Sequence, residues 1–134
     1  MADVRSHLSQ AEHNRELANR LISDAKLVYR DWAVITAFYS ALHYVEAEGA
    51  KGGCHLHSHQ DRLDHVRHEF YSYFPIIRAF EALHRASFML RYLEYQNNEY
   101  QPCGQWMDDQ DVKDHVLIDL EDIRKHVLKQ VSVR

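Results

Sequence analysis

The sequence predicts an all-α fold, an antiparallel bundle of about five helices, and three observations predict it. Apolar residues recur at three- and four-residue spacings along most of the chain, the period of an amphipathic helix. Only 4 Gly and 2 Pro interrupt 134 residues, too few for a many-stranded sandwich. The breaks between periodic stretches are short, which favours helices that run antiparallel to their neighbours. A chain of this length buries a core of its own, so residues 1–134 read as one domain.

The first helix spans about Val4 to Ser23, with Asp3 as N-cap and Leu8, Ala11, Leu17, Ala18, Leu21 and Ile22 on one stripe. Residues from Asp24 to Arg30 connect it to a second helix, Trp32 to Glu48, for which Asp31 is the expected cap. That second helix is the most apolar in the chain and is expected at the centre of the bundle. Its Thr36, Ser40 and His43 fall at i, i+4 and i+7, a narrow stripe without formal charge. A solvated face carries Lys or Glu, so this stripe reads as an internal polar seam or a close helix contact. Gly49, Gly52 and Gly53 stop the helix and open a loop through Cys54, His55, Leu56 and His57.

Ser58, with Asp61 three residues on, starts a third helix in a variant of the capping box. Leu63, Val66 and Phe70 form its inward stripe, leaving Asp61, Arg62, His65, His68 and Glu69 on the other side. Pro75 suits the first turn of a fourth helix, about Ile76 to Asn97, with Ile76, Phe80, Leu83, Leu90 and Leu93 as its core. A loop through Gly104 leads to the last helix, about Asp111 to Val131. Val112, Val116, Leu120, Ile123, Val127 and Val131 are its stripe, and Glu121 stands four residues before Lys125 in the order of an exposed pair.

Composition removes several function classes. The formal charge of −4 argues against a strongly basic nucleic-acid binder, although 11 His hold a reserve of positive charge. No run of 18 apolar residues is present, and the N-terminal residues lack a signal-peptide core. Two cysteines, Cys54 and Cys103, make no disulfide framework, and a cytoplasmic protein with free thiols is expected. Neither a phosphate-binding Gly-x-x-x-x-Gly-Lys loop nor a Gly-x-Ser-x-Gly elbow occurs.

Two constellations carry chemistry. Cys54, His55, His57 and His59, with Asp61, His65 and His68, are competent metal ligands, but the spacing is not that of a zinc finger. A mobile polar loop is the simpler reading, so no metal ligand is assigned and no cofactor is expected. A di-metal bundle fails as well, since Glu81-x-x-His84 has no second copy. In the fourth helix His84, Ser87, Arg91 and Tyr95 share a face, with Tyr92 beside Arg91. An Arg flanked by aromatic rings suits a phosphate and a base. Taken alone, an Arg stem packed between rings with its head in water is the commoner arrangement.

The order of these signals resembles the HEPN family, the higher eukaryote and prokaryote nucleotide-binding domain. Asp31-Trp32-Ala33, the run from Ala37 to His43, Ser58-His59 opening a helix and Leu90-Arg91-Tyr92 carry the likeness, which covers Asp31 to Tyr95. Leu93 stands where the family often has Pro. The resemblance implies a small helical bundle that binds a nucleotide or RNA, and its pattern carries most directly onto Tyr39, His59, Arg91 and Tyr92; with His43 of the polar stripe and His84 of the fourth-helix face, these are the expected ligand-binding positions. It also implies a homodimer and a nucleotidyltransferase partner, as in the two halves of a toxin–antitoxin module. Surplus apolar surface on the second helix is expected to support the dimer.

Many members of that family cut RNA without metal, using an Arg, four to six intervening residues and then a His. The runner-up reading is therefore a toxin-type, metal-independent endoribonuclease with Arg62 and His68 as its catalytic pair. There the Arg stabilises phosphate charge and the His moves a proton. An offset of six sets the two side chains about 120° apart on a straight helix. A third reading is a non-enzymatic metal-binding or interaction module built on the His-rich loop.

Overall fold

In a computed structural model that describes residues 2–23, 29–71, 73–91, 110 and 112–132, the regular elements are all helical. They are α1 (Val4–Ile22), α2 (Arg30–Lys51), α3 (His59–Glu69), α4 (Phe74–Arg91) and α5 (Leu117–Ser132), the last entered through a π-helical turn, Val112–Val116. The five helices pack against one another as an all-α bundle.

Local chemistry sets the helix ends. Asp3 accepts from the Ser6 N–H at 2.8 Å, and Ser58 accepts from the Asp61 N–H at 3.0 Å, so both predicted caps form. Asp31 is not a cap. Helix α2 starts earlier, with Tyr29 at the N-cap and Asp31 in the first turn, where its charge complements the helix dipole. At the other end Gly49 stays inside α2 and the helix runs to Lys51. A Cβ on Gly49 would sit 3.2 Å from the Cys54 carbonyl and 3.3 Å from a Leu56 methyl, so glycine here lets the returning loop close on the helix.

Helix α2 is the centre of the bundle, as its composition predicts. Phe38, Tyr44, Val34 and Val45 are fully buried. Its apolar surface is consumed within the chain, with Trp32 as the exposed exception, so the expected surplus for a dimer does not exist on this helix. The polar stripe is a close contact at two of its three residues, Thr36 instead donating to the Trp32 carbonyl of its own helix at 2.7 Å. Ser40 donates to the Ala11 carbonyl at 2.7 Å, and His43 meets His7, both on α1. Buried Ala11, Ala18, Ala37 and Ala41 leave room for that approach.

The α5 stripe is buried as predicted, except that Val131 is half-buried. Leu17 is exposed, since it lies about 100° around α1 from Ala18. Glu121 pairs across helices with Arg15 and within its own turn with Arg124, so Lys125 is not its partner among the described contacts. Arg124 and the Tyr44 hydroxyl both donate to Glu12, which joins α1, α2 and α5. Burial raises the Glu12 carboxyl, but these hydrogen bonds outweigh it and hold the group below its ordinary range. The end of the predicted α4 from residue 92 on, Leu93 included, the loop to Gly104, Cys103 and the connection 24–28 lie outside the described residues. No helix among the described residues is long and apolar enough to cross a membrane.

One acid works against the fold. Burial, with the charge of Asp122, pushes Asp119 up to about 6 from 3.8, against an opposing pull from His115. The folded state then holds a proton that the unfolded chain has released, so stability falls as pH rises through that window. Asp119→Asn is expected to stabilise by about 1 kcal/mol at neutral pH, the full shift being reduced by partial exposure. The gain should vanish below about pH 4. Thermal melts at the two pH values check both signs.

Candidate functional site

Helix α2 places two carboxylates, Glu46 and Glu48, on its last turns, both largely buried. A buried carboxylate requires a cation or several donors, and α3 supplies them. Arg62 Nε donates to Glu46 Oε1 at 2.7 Å, and His65 Nε2 pairs with Glu48. Arg62 and His65 therefore point into the bundle and do not lie with Asp61, His68 and Glu69 on the solvent side.

From Glu46 a line of polar side chains runs in both directions. Toward α1, Glu46 Oε2 is 3.1 Å from His7 Nδ1 and 3.5 Å from His43 Nδ1, and the two Nδ1 atoms are 3.2 Å apart. Burial holds the His43 imidazole below its ordinary range, opposed by Glu46 and reinforced by His7 and Arg62. Toward α4, Arg62 Nη1 lies 3.4 Å from His59 Nδ1. The His59 ring is 4.9 Å from that of His84, and both lie against Phe38 of α2, at 5.8 and 5.4 Å. The line thus reads His7, His43, Glu46, Arg62, His59, His84, across four helices.

A cleft opens at each end. One of about 190 Å³ has His7 and Glu46 on one wall and residues 54–57 on another. The other, about 300 Å³, lies between α3 and α4 and is lined by Leu63, Arg67, Glu81, His84, Arg85 and Phe88. Arg67 is tied to Glu81 at 3.0 Å. Among the described residues no ion pair holds Arg85, which is exposed.

Four of the positions singled out in the sequence, His43, His59, Arg62 and His84, come together here. Tyr39 packs beside Phe38, ring centroids 5.5 Å apart, outside the line. His68 is exposed on the last turn of α3, and the described contacts of Arg62 go to Glu46 and His59 instead. The Arg91 side chain and Tyr92 lie outside the described residues. The His-rich set disperses: His59 joins His84, His65 joins Glu48, and Asp61 accepts from the His57 N–H at 3.2 Å.

Sequence reasoning missed His7, Glu46 and Phe88, while Arg67 and Arg85, two of the cations expected to gather on one surface, do share the cleft between α3 and α4. His43-x-x-Glu46, one helical turn apart, was the readable signal for Glu46. His7 had none, being 36 residues from His43. No family model matches the chain, and neither a curated protein nor a solved structure does.

Proposed function

We propose that the chain is a HEPN-like bundle that binds a nucleotide or an RNA end in the cleft between α3 and α4. The observation that carries this reading is the juxtaposition of His59 and His84, two expected ligand positions on different helices, with His84 lining that cleft. His84 and Phe88 offer ring faces to a base, and Arg85 offers a charge to phosphate. A volume of about 300 Å³ is at the small end for ligand sites and suits one nucleotide. With a net charge of −4, attraction for phosphate has to be local, and this cleft is where cations gather beside aromatic rings.

The test is a titration of the full chain with fluorescent nucleotide analogues and a short labelled RNA. Saturable binding is expected, weakened about 10-fold in Arg85→Ala, with a melting temperature unchanged in that variant. The affinity should fall as salt is raised. No saturable response to any of these probes would defeat the reading.

The resemblance also supports self-association and a nucleotidyltransferase partner. Tyr71 and Phe74, exposed at the α3–α4 corner, supply apolar surface for such contacts. Endoribonuclease activity is the second reading, favoured by the 3.4 Å approach of Arg62 to His59. It ranks behind binding because Glu46 already holds the Arg62 charge. Cleavage in EDTA that is lost in His59→Ala and kept in His68→Ala would promote it.

A further inference from the structure

We infer that His7, His43 and Glu46 form a binding site for a zinc-class divalent metal ion, with its fourth coordination position open to the neighbouring cleft. The donors are two imidazole nitrogens and one carboxylate oxygen, a set that zinc accepts and that hard cations such as magnesium do not favour. Their separations are 3.1, 3.2 and 3.5 Å. With zinc bonds of 2.0–2.1 Å, the edges of a regular coordination tetrahedron are about 3.3–3.4 Å. The three atoms therefore outline one face of such a tetrahedron.

Protons satisfy this triangle only in part. Each neutral imidazole brings at most one hydrogen to its Nδ1, and the carboxylate brings none. At most two of the three edges can then be hydrogen bonds, and the third sets two donors or two lone pairs against each other. A cation above the face satisfies all three lone pairs together.

The surroundings suit a site of this kind. Its three side chains are largely buried and are held by two helices, His43 and Glu46 by α2 and His7 by α1. Arg62 occupies Glu46 Oε1 and leaves Oε2 toward the imidazoles, the outer-shell support that ligating carboxylates commonly have. The cleft beside His7 and Glu46 gives access to solvent, and His55 and His57 stand on its far wall. Neither loop histidine belongs to the triangle, so this site is distinct from a His-loop module. It is also independent of nucleotide binding between α3 and α4.

The test uses the untagged full chain, stripped with a chelator and titrated with zinc chloride and separately with cobalt(II). One equivalent of zinc is expected to bind and to raise the melting temperature. Cobalt should give the intense visible absorption of a four-coordinate ion. His7→Gln, which leaves the Arg62–Glu46 pair intact, should lower zinc affinity at least about 100-fold and abolish that absorption. His43→Gln should do the same, and circular dichroism shows whether each variant is folded. The His55→Ala/His57→Ala double variant should keep both signals. The inference is overturned if the wild type takes up no stoichiometric zinc, or if cobalt shows only a weak six-coordinate spectrum. Binding that survives His7→Gln but disappears in the loop variant would place the metal on the loop and overturn it equally.

Discussion

Phe38→Ala is expected to lower unfolding stability by about 3–5 kcal/mol, the largest effect of any single truncation near the site. Phe38 is fully buried, and its ring meets Phe80, Tyr39, His59 and His84 at centroid distances of 5.4–6.0 Å. Removing it leaves a cavity bounded by two core walls and by the two histidines. The second consequence separates this variant from an ordinary core truncation. His59 and His84 lose the surface that sets their angle, so nucleotide affinity should fall together with stability. Phe38→Leu keeps most of the volume, and its cost should stay below about 1.5 kcal/mol. Urea unfolding gives the first quantity, and the NMR signals of the two imidazoles report the second. A cost for Phe38→Ala below about 1 kcal/mol would mean that α2 is not the packed centre.

That dependence explains why so much of the fold was legible and so little of the site. The α5 stripe is a regular run of aliphatic residues, and α5 packs along α2 and α4, so local spacing alone predicts its burial. Asp3 and Ser58 cap helices because a side-chain oxygen reaches an N–H only three residues away. Such interactions are written within one turn of chain. The site is made of partners that are distant in sequence: His7 with His43, Arg62 with Glu46, His59 with His84.

Arg62 illustrates the failure most directly. On the periodicity of α3 it belongs to the polar side, because Leu63, Val66 and Phe70 define the inward stripe. What turns it inward is a carboxylate on another helix, and nothing near Arg62 in the sequence announces Glu46. His65 is misread for the same reason, through Glu48. The apolar period therefore predicts which face of α3 meets the core, but not which polar residues at the edges of that face are captured by charges on α2. His43 was placed correctly because the anomaly sits in α2 itself, a polar stripe without charge on a helix otherwise apolar.

The Arg62–Glu46 pair should behave as a unit in a double-mutant cycle measured in EDTA, where no ion contributes. The two side chains are 15% and 11% exposed, so the pair is well withdrawn from solvent. Glu46→Ala leaves a guanidinium facing two imidazoles without its counter-charge. A cost of about 3 kcal/mol is expected, in the range for breaking such a pair. Arg62→Ala leaves the carboxylate, which still has the His7 and His43 nitrogens nearby, and should cost less. The double variant removes both charges and should be more stable than the sum of the single losses implies, with a coupling of at least about 1 kcal/mol. Arg20→Ala provides the contrast. Its partner Glu16 is 2.6 Å away, but the two side chains are 76% and 63% exposed, and no measurable change is expected. Raising the salt to about 1 M should erase exposed contributions while leaving most of the Arg62–Glu46 coupling. Additive losses from the two single variants would show that Arg62 spends its time in solvent. The polar line from His7 to His84 would then break at its middle, and with it the reason for His59 to stand where it does.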